Sequence, residues 1–388
     1  MRDGWFKTTL GEICHLAKGA TPTLKARPGQ YPLVVTAEKR SSSDEYQFDG
    51  EAVCVPMVSS TGHGHASLKR VHYESGKFAV ANIITACTAK PGAPVDMKYL
   101  WLLLDHRRDE LIVPLMKGTA NVSLSQKNLA TVPLQLPPLV EQRRIVDLIA
   151  ALDDTIEATE LQGARALHAY RARGQSMSMP GDTSVELGDL LEVAKAGGTP
   201  SRKNKELFGG AIPWVKSGEV GGEVIVRTEE TLTEAALASS SAWLVPAGTV
   251  LMAMYGATAA QIGRLGIDAA TNQAVLALIP NGELMTPDFL YHLLRADSER
   301  LKGLATGAAQ PNLSKGVILA QRYSPPTLET QEKLSAELNA LLSIAESTDG
   351  VLRDLRTLRS NLLAALLLGE HEIPVSYDDL IGTHLEAA

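Results

Sequence analysis

The chain has 388 residues, 45% of them hydrophobic and 21% charged, which are the proportions of an ordinary soluble protein of two or three domains. No apolar run reaches the roughly 18 residues of a membrane span, Met1-Arg2-Asp3-Gly4 lacks a signal-peptide core, and Cys14, Cys54 and Cys87 are odd in number and far apart. A membrane anchor, a disulfide framework and a zinc cluster are therefore not expected, and cytoplasm is the expected compartment. The net charge of −7 is unevenly spread: residues 1–138 carry 16 Lys+Arg against 12 Asp+Glu, 181–327 carry 12 against 15, and the chain from 328 carries 4 against 11. Distribution rather than sum decides whether nucleic acid is a partner, so the acidic end leaves a basic face elsewhere open.

The first domain, expected over 1–138, is mixed, with more strand than helix. Strands are expected over Tyr31–Val35, Ala52–Val55 and Phe78–Ile84, with Gly-rich turns between them and one helix near 96–113. Two of its loops are basic and polar. Lys39 and Arg40 precede Ser41 to Ser43, and Ser59, Ser60 and Thr61 precede His63, His65, Lys69 and Arg70. His63-Gly64-His65, with His72 or Cys54, is the best metal candidate, but no spaced second pair completes a zinc cage. A loop that reads DNA or merely turns is the simpler account.

Pro137-Pro138 cannot sit inside a helix and marks the start of a long one, expected over 139–178. From Ile145 the apolar positions step by four and three through Ile149, Leu152 and Ile156 to Tyr170, the pattern of a coiled-coil seam. A second domain is expected over 181–327, with strands over Ala211–Val215, Thr249–Met254 and Asn272–Leu278 and a helix near 287–303. A second long helix over 328–370 carries the same seam at Leu334, Leu338, Leu341, Leu352 and Leu355, with Gly369 as its cap and Pro374 beyond it. The tail covers 371–388. A narrow apolar seam needs a partner, and the two helices supply one another if they run antiparallel. The alternative is that each packs only on its own domain, or on another protein.

The chain repeats itself at a spacing of about 189 residues. Gly118 to Ser125 answers to Gly307 to Ser314, Pro137-Pro138-Leu139 to Pro326-Thr327-Leu328, and Gln142 and Ile145 to Gln331 and Leu334. Tyr99–Leu104 echoes Phe289–Leu294 one residue out of phase. Leu10-Gly11-Glu12-Ile13 and Thr21-Pro22-Thr23 echo Leu187-Gly188-Asp189-Leu190 and Thr199-Pro200-Ser201. A period of that length is a duplicated domain with its connector, since solenoid units repeat every 20–50 residues.

Several catalytic signatures are missing from the sequence. Gly76-Lys77 runs into Phe78 without phosphate-loop spacing, and no Gly-x-Gly-x-x-Gly opens a helix. No Asn/Asp-Pro-Pro-Tyr/Phe motif of amino-group methyl transfer occurs, and neither Gly-x-Ser-x-Gly nor His-Glu-x-x-His is present.

Over nearly its whole length the chain resembles the specificity (S) subunit of type I restriction–modification systems. The second domain carries the likeness most fully, in Leu187-Gly188-Asp189-Leu190, Gly198-Thr199-Pro200-Ser201, Gly209 to Glu219, Gln310 to Ser314, Pro325-Pro326 and Gln331. The first keeps the domain edges, with Leu10-Gly11-Glu12, Thr21-Pro22 and Glu141-Gln142-Arg143-Arg144-Ile145, and departs at its centre. The resemblance implies an α+β, pseudo-two-fold chain of two target-recognition domains, each a twisted sheet with helices, separated by an antiparallel two-helix coiled coil. It also implies that each domain reads half of a split asymmetric site in double-stranded DNA while the helices fix the spacer. Two methyltransferase subunits would dock on the chain and carry S-adenosylmethionine, with restriction subunits as optional further partners. The chain itself would then bind no cofactor and catalyse nothing.

The residues whose chemistry suits base edges and phosphates are Lys216, Ser217, Glu219, Tyr255, Thr258, Gln273, Gln310 and Asn312 in the second domain. In the first they are Lys39, Arg40, Ser59, Ser60, His63, His65 and Lys69. Each has a structural alternative: Asn312 starts a turn, and a basic loop is solvated. Trp101 and Trp214 are expected as core anchors. Arg143 and Arg144, with Asp378-Asp379, suit either a partner surface or a solvated face. The competing functions are a two-domain protein-binding adaptor with a coiled-coil spacer and, lower, a nuclease, for which no carboxylate–lysine cluster is evident.

Overall fold

The computed structural model describes residues 4–23, 26–61, 64–119, 121–177, 184–221, 224–306 and 312–379. The chain divides into two compact units, 1–158 with 352–388, and 159–351. The division falls inside the two long helices, α1 (Leu139–Met177) and α2 (Leu328–Leu367), so each helix contributes one half to each unit. None of the described helices is long and apolar enough to cross a membrane.

In the first unit, Cys14–Lys18, Ile84–Ala89, Ala52–Pro56 and His72–Glu74 form an antiparallel sheet in that order. A second sheet runs Ser41–Ser43, Tyr31–Val34, Lys77–Val80, Phe48–Asp49, and its central pair is parallel, with Leu33 opposite Ala79. The second unit repeats both sheets, the first of them with Val224–Ile225 added as a fifth strand. One runs Leu191–Ala196, Val275–Pro280, Val250–Ala253, Ile262–Leu265, Val224–Ile225; the other runs Glu230–Leu232, Phe208–Val215, Ala269–Thr271, Leu244–Val245, again with a parallel central pair. The Met97–His106 helix of the first unit matches Pro287–Ala296 of the second.

The expected run Phe78–Ile84 is two strands, because Ile84 N–H bonds back to Ala81 C=O (2.9 Å) in a tight turn. The expected run Asn272–Leu278 starts only at Val275 for the same reason, a Val275 N–H to Asn272 C=O bond of 3.1 Å. Close approach fixes the Gly residues that lead into the Thr-Pro corners. A Cβ on Gly19 would lie 2.2 Å from Ala81 O, and one on Gly197 would lie 1.9 Å from Thr271 O. Only glycine fits where these segments cross the strand ends.

The helix seams divide between buried and half-buried positions. Ile145, Ile149, Leu338 and Leu352 are buried, and Leu152, Ile156, Leu334, Leu341 and Leu355 are half-buried. In the first unit Ile145 and Ile149 share a core with Leu363, Leu366 and Leu367, and Arg359 Nη2 meets Asp153 Oδ2 at 2.8 Å. In the second, Tyr170 shares a core with Leu338 and Leu342, Arg173 pairs with Glu337 at 3.2 Å, and a Cβ on Gly163 would lie 2.5 Å from Thr348 Oγ1. Rising numbers on α1 meet falling numbers on α2, so within each unit the halves pack antiparallel. The pairing expected of the helices is present and they do not pack on their domains alone, since each half-helix lies both on a domain core and on the other helix. Gly369, at φ +69°, ends α2 with Glu370 N–H on Ala365 C=O and Gly369 N–H on Leu366 C=O, a glycine cap as expected.

Each domain is joined to its helix start by one fully buried glutamine. Gln142 Oε1 accepts from Asp96 N–H (2.8 Å), and its Nε2 donates to Pro94 C=O (3.0 Å) and Pro137 C=O (2.8 Å). Gln331 does the same with Thr286 N–H, Leu284 C=O and Pro326 C=O, all at 2.9 Å. Three backbone groups that lack partners of their own are thus satisfied by one side chain. In the second unit a further relay, running from buried Tyr170 and His292 out to half-buried Asn339 and Asp288, links α1, α2 and the domain helix. His292 Nδ1 meets Tyr170 OH (3.1 Å), its Nε2 meets Asn339 Oδ1 (3.0 Å), and Asn339 Nδ2 donates to Asp288 Oδ2 (3.0 Å).

Replacing Gln142 or Gln331 by Leu leaves a backbone N–H and two carbonyls unpaired in the interior, at an expected cost of about 3 kcal/mol. Chemical denaturation should show the midpoint fall for the unit that carries the change, and an unmoved midpoint would refute the clamp. A second expectation concerns pH. Burial, reinforced in the one by Arg40 and Arg70, lowers His72 and His292 from 6.5 to about 4. Above about pH 6.5 neither state binds the proton; between about 6.5 and 4 only the unfolded chain does, so stability decreases as the pH is lowered through that window, by up to about 1.4 kcal/mol per pH unit for each histidine. Urea unfolding of His292→Gln across that window should give a shallower slope than the wild type, and parallel slopes would show that His292 does not contribute.

Candidate nucleic-acid interface

Strand directions gather the candidate loops at one end of each domain. In the first, the parallel strands Tyr31–Val34 and Lys77–Val80 both end there, and so does Ala52–Pro56, whose Pro56 lies opposite Ile84. Met57 N–H bonds Ile83 C=O (2.8 Å), and Leu124 N–H bonds Met57 C=O (2.9 Å). In the second domain the same roles fall to Phe208–Val215, Ala269–Thr271 and Val250–Ala253, with Met254 N–H on Ala274 C=O (2.8 Å) and Leu313 N–H on Met254 C=O (2.8 Å). The repeated segment ending in Leu-Ser explains itself here. Ser123 bridges Lys117 and Val58, Asn312 bridges Thr306 and Tyr255, and Ser125 and Ser314 cap the short helices that follow.

Lys39, Arg40, Ser59, Ser60, His65 and Lys69 all lie at this end of the first domain, whereas His63 lies outside the described residues. A cavity of about 410 Å³ is lined by Thr36, Glu38, Ser59, Ser60, Lys69 and Arg70, so the two basic loops face one cleft. Arg70 pairs with Glu38 across it at 3.0 Å. Lys39 and Lys69 are exposed and make no ion pair among the described residues. Arg40 is not a free loop cation. Its Nε donates to Glu74 Oε2 (2.6 Å), Nη2 to Tyr73 C=O (2.9 Å) and Nη1 to His72 Nδ1 (3.0 Å), which fastens the loop to the sheet. Ser59 Oγ is likewise engaged with His65 C=O at 2.6 Å, folding the loop on itself. Cys14, Cys54 and Cys87 are buried thiols, and desolvation raises the first two to about 12. No group of three potential metal ligands occurs among the described residues.

In the second domain Lys216, Ser217, Glu219, Tyr255, Thr258, Gln273 and Asn312 lie at the same end, and Gln310 lies outside the described residues. Several are already occupied. Glu219 accepts from the backbone N–H groups of Lys216 and Glu229, both at 2.8 Å, and so shapes the loop. Lys216 Nζ is held by Glu229 (2.7 Å) and Glu230 (3.1 Å). Thr258 Oγ1 caps back to Tyr255 C=O at 3.2 Å, and Gln273 Oε1 accepts from Thr199 Oγ1. Asn312 is exposed, with its backbone paired to Thr306. Trp214 is 1% exposed, its Nε1 donating to Gly198 C=O, and Trp101 Nε1 donates to Val71 C=O, so both are anchors as expected.

The sequence reading missed Arg202 and Glu230. Arg202 reaches Glu230 with Nη1 (2.5 Å) and Nη2 (3.1 Å), and its guanidinium lies 4.7 Å from the ring centre of Phe208 and 5.1 Å from that of Trp214. Hydrogen bonds from Arg202 and then Lys216 lower the Glu230 carboxyl to about 2. The available signal was position, since Arg202 directly follows the repeated Thr199-Pro200-Ser201 corner. Arg144 and Asp378, expected on a partner or solvent face, pair with each other.

The family model described as the Type I restriction modification DNA specificity domain matches twice, over residues 2–165 and 182–353. A type I restriction enzyme MjaIX specificity subunit of Methanocaldococcus jannaschii is 31% identical over 178 residues, 44% of this chain and 40% of that one. The EcoR124I/EcoR124II specificity subunit of Escherichia coli is 25% identical over 55% of this chain and 54% of its own length. The chain thus spans about half the length of these two curated relatives. A putative Haemophilus influenzae subunit, S.HindORF215P, is 21% identical over 88% of this chain and 89% of that one. The fold is shared with the crystal structure of a type I restriction–modification S subunit from M. genitalium, at a TM-score of 0.60 and 17% identity over 93% of this chain and 96% of that one. Two matches that together take in most of the chain, on two copies of one domain, place it in the type I restriction–modification specificity-subunit family.

Proposed function

We propose that this chain is the non-catalytic DNA-reading subunit of a type I restriction–modification assembly. Each domain reads one half of a split, asymmetric duplex target through the loops at its gathered end, and α1 and α2 set the spacing of the halves. Methyltransferase subunits dock on the chain and supply the S-adenosylmethionine and the chemistry; restriction subunits are further partners. The observation that carries the reading is the division of labour within the repeat. Groups that recur (Gln142 and Gln331, Ser125 and Ser314, Gly19 and Gly197) hold backbone, whereas the loops they hold differ between the domains. Such an arrangement suits two readers with different specificities on one scaffold.

Gel shifts of the chain with its methyltransferase partner on random-sequence duplex should show binding that weakens steeply with salt, as phosphate contacts release counterions. Absence of any DNA affinity, with or without the partner, would favour a protein-binding adaptor. Inserting one heptad into α1 and one at the facing position of α2 lengthens each by about 10 Å. Mapping of modified adenines should then show a longer spacer between unchanged half-sites, since half-sites about 34 Å apart are one DNA turn apart. Altered half-sites with an unaltered spacer would remove the helices from the role of ruler.

A further inference from the structure

Arg202 is fixed on two sides in a way that leaves one recognition edge open. It packs against the rings of Phe208 and Trp214, which stand at 65° to each other, and the Trp214 ring is itself locked by its bond to Gly198. At the end of the guanidinium lies Glu230, taking Nη1 and Nη2. Glu230 is in turn held by Lys216, so it cannot swing away with the arginine. The third edge, Nε with the second hydrogen of Nη2, has no partner among the described residues, and the side chain is 55% exposed. Two parallel donors on a rigid plane match the O6 and N7 acceptors on the major-groove edge of guanine. A stacked and clamped arginine also loses little freedom on binding, which favours discrimination over loose attraction.

Stability alone does not account for this arrangement, because exposed ion pairs contribute little to it. Nor does it belong to the repeated scaffold. The corner shared by Thr21-Pro22-Thr23 and Thr199-Pro200-Ser201 continues into Leu24 in the first domain and Arg202 in the second. The Thr199 hydroxyl in that corner bonds Gln273, so Arg202 stands beside the loops that gather at the end of this domain.

We propose that Arg202 reads one guanine in the half-site of the second domain, with Glu230 as the positioning residue that fixes its plane. This rests on the DNA-reading function and goes further by naming the residue and the base. The test uses the full chain with its methyltransferase partner and the duplex defined by mapping modified adenines. Each guanine of the second half-site is replaced in turn, on either strand, and binding is compared for wild type, Arg202→Ala, Arg202→Lys and Glu230→Gln. The wild type should prefer guanine at one position by about tenfold or more. Arg202→Ala and Arg202→Lys should bring that preference close to one, and Glu230→Gln should reduce it in part. Discrimination at the other positions and throughout the first half-site should stay unchanged, which also reports that the variants are folded. If Arg202→Ala is unstable, Arg202→Lys, which keeps the charge and loses the two-donor edge, decides the matter with Glu230→Gln. Retained preference at every guanine, or equal weakening on all duplexes, would overturn the proposal, the latter making Arg202 a phosphate contact. A wild-type complex that selects no duplex at all would instead overturn the DNA-reading function.

Discussion

A glutamine side chain buried at the start of each long helix is the constraint on which both domains depend. Pro137-Pro138 and Ser324-Pro325-Pro326 bring the chain out of its last strand with few N–H donors, so the helix start cannot be tied down by its own backbone. Gln142 and Gln331 supply what is missing: an acceptor for the first free N–H of the domain helix and two donors for carbonyls on either side. An amide is the only common side chain that offers both functions on one planar end. A carboxylate would lack the donors and an aliphatic group would lack all of them. The angle at which each helix leaves its domain is thereby tied to the helix that packs behind the sheet, and through the Met97–His106 and Pro287–Ala296 cores to the sheet itself.

This explains which parts of the fold were legible in the sequence. The helix starts, the seams at Ile145, Ile149, Leu338 and Leu352, and the Gly369 stop follow local rules of period and capping, and they stand where those rules put them. The repeat was legible because its members do the same backbone work twice. Strand ends were less so. Phe78–Ile84 reads as one apolar run, yet it breaks after Val80, where Ile84 N–H turns back to Ala81 C=O and Gly19 crosses beside Ala81, a contact between distant segments that no local pattern encodes.

At the candidate interface, position was legible and state was not. Loops rich in Lys, Ser, Gln and Asn fall at the gathered ends, but residue type cannot tell an available cation from one already neutralised. Arg40 is spent on Glu74 and His72, and Lys216 on Glu229 and Glu230, whereas Lys39 and Lys69 stand exposed without such partners among the described residues. Arg202 escaped notice because its meaning comes from an aromatic floor 6 to 12 residues away in sequence and a carboxylate 28 away.

These pairings bear on how affinity and selectivity are divided. Non-specific attraction to a duplex scales with the number of phosphates that free cations can neutralise. The second domain has 12 basic against 15 acidic residues, and its Arg202 and Lys216 are balanced by Glu229 and Glu230. Such a surface gains little from phosphates in general. On the proposed reading it gains only where a base edge offers acceptors in the right geometry to the arginine, or donors to the carboxylates, so that the desolvation of each partly exposed ion on binding is offset. Such an internally paired surface, on that same reading, favours discrimination between sequences over general attraction to a duplex. Exposed cations such as Lys39 and Lys69 in the first domain are better placed than Arg202 or Lys216 to meet phosphates. The loops of the two copies can thus diverge without altering the scaffold that the glutamines hold.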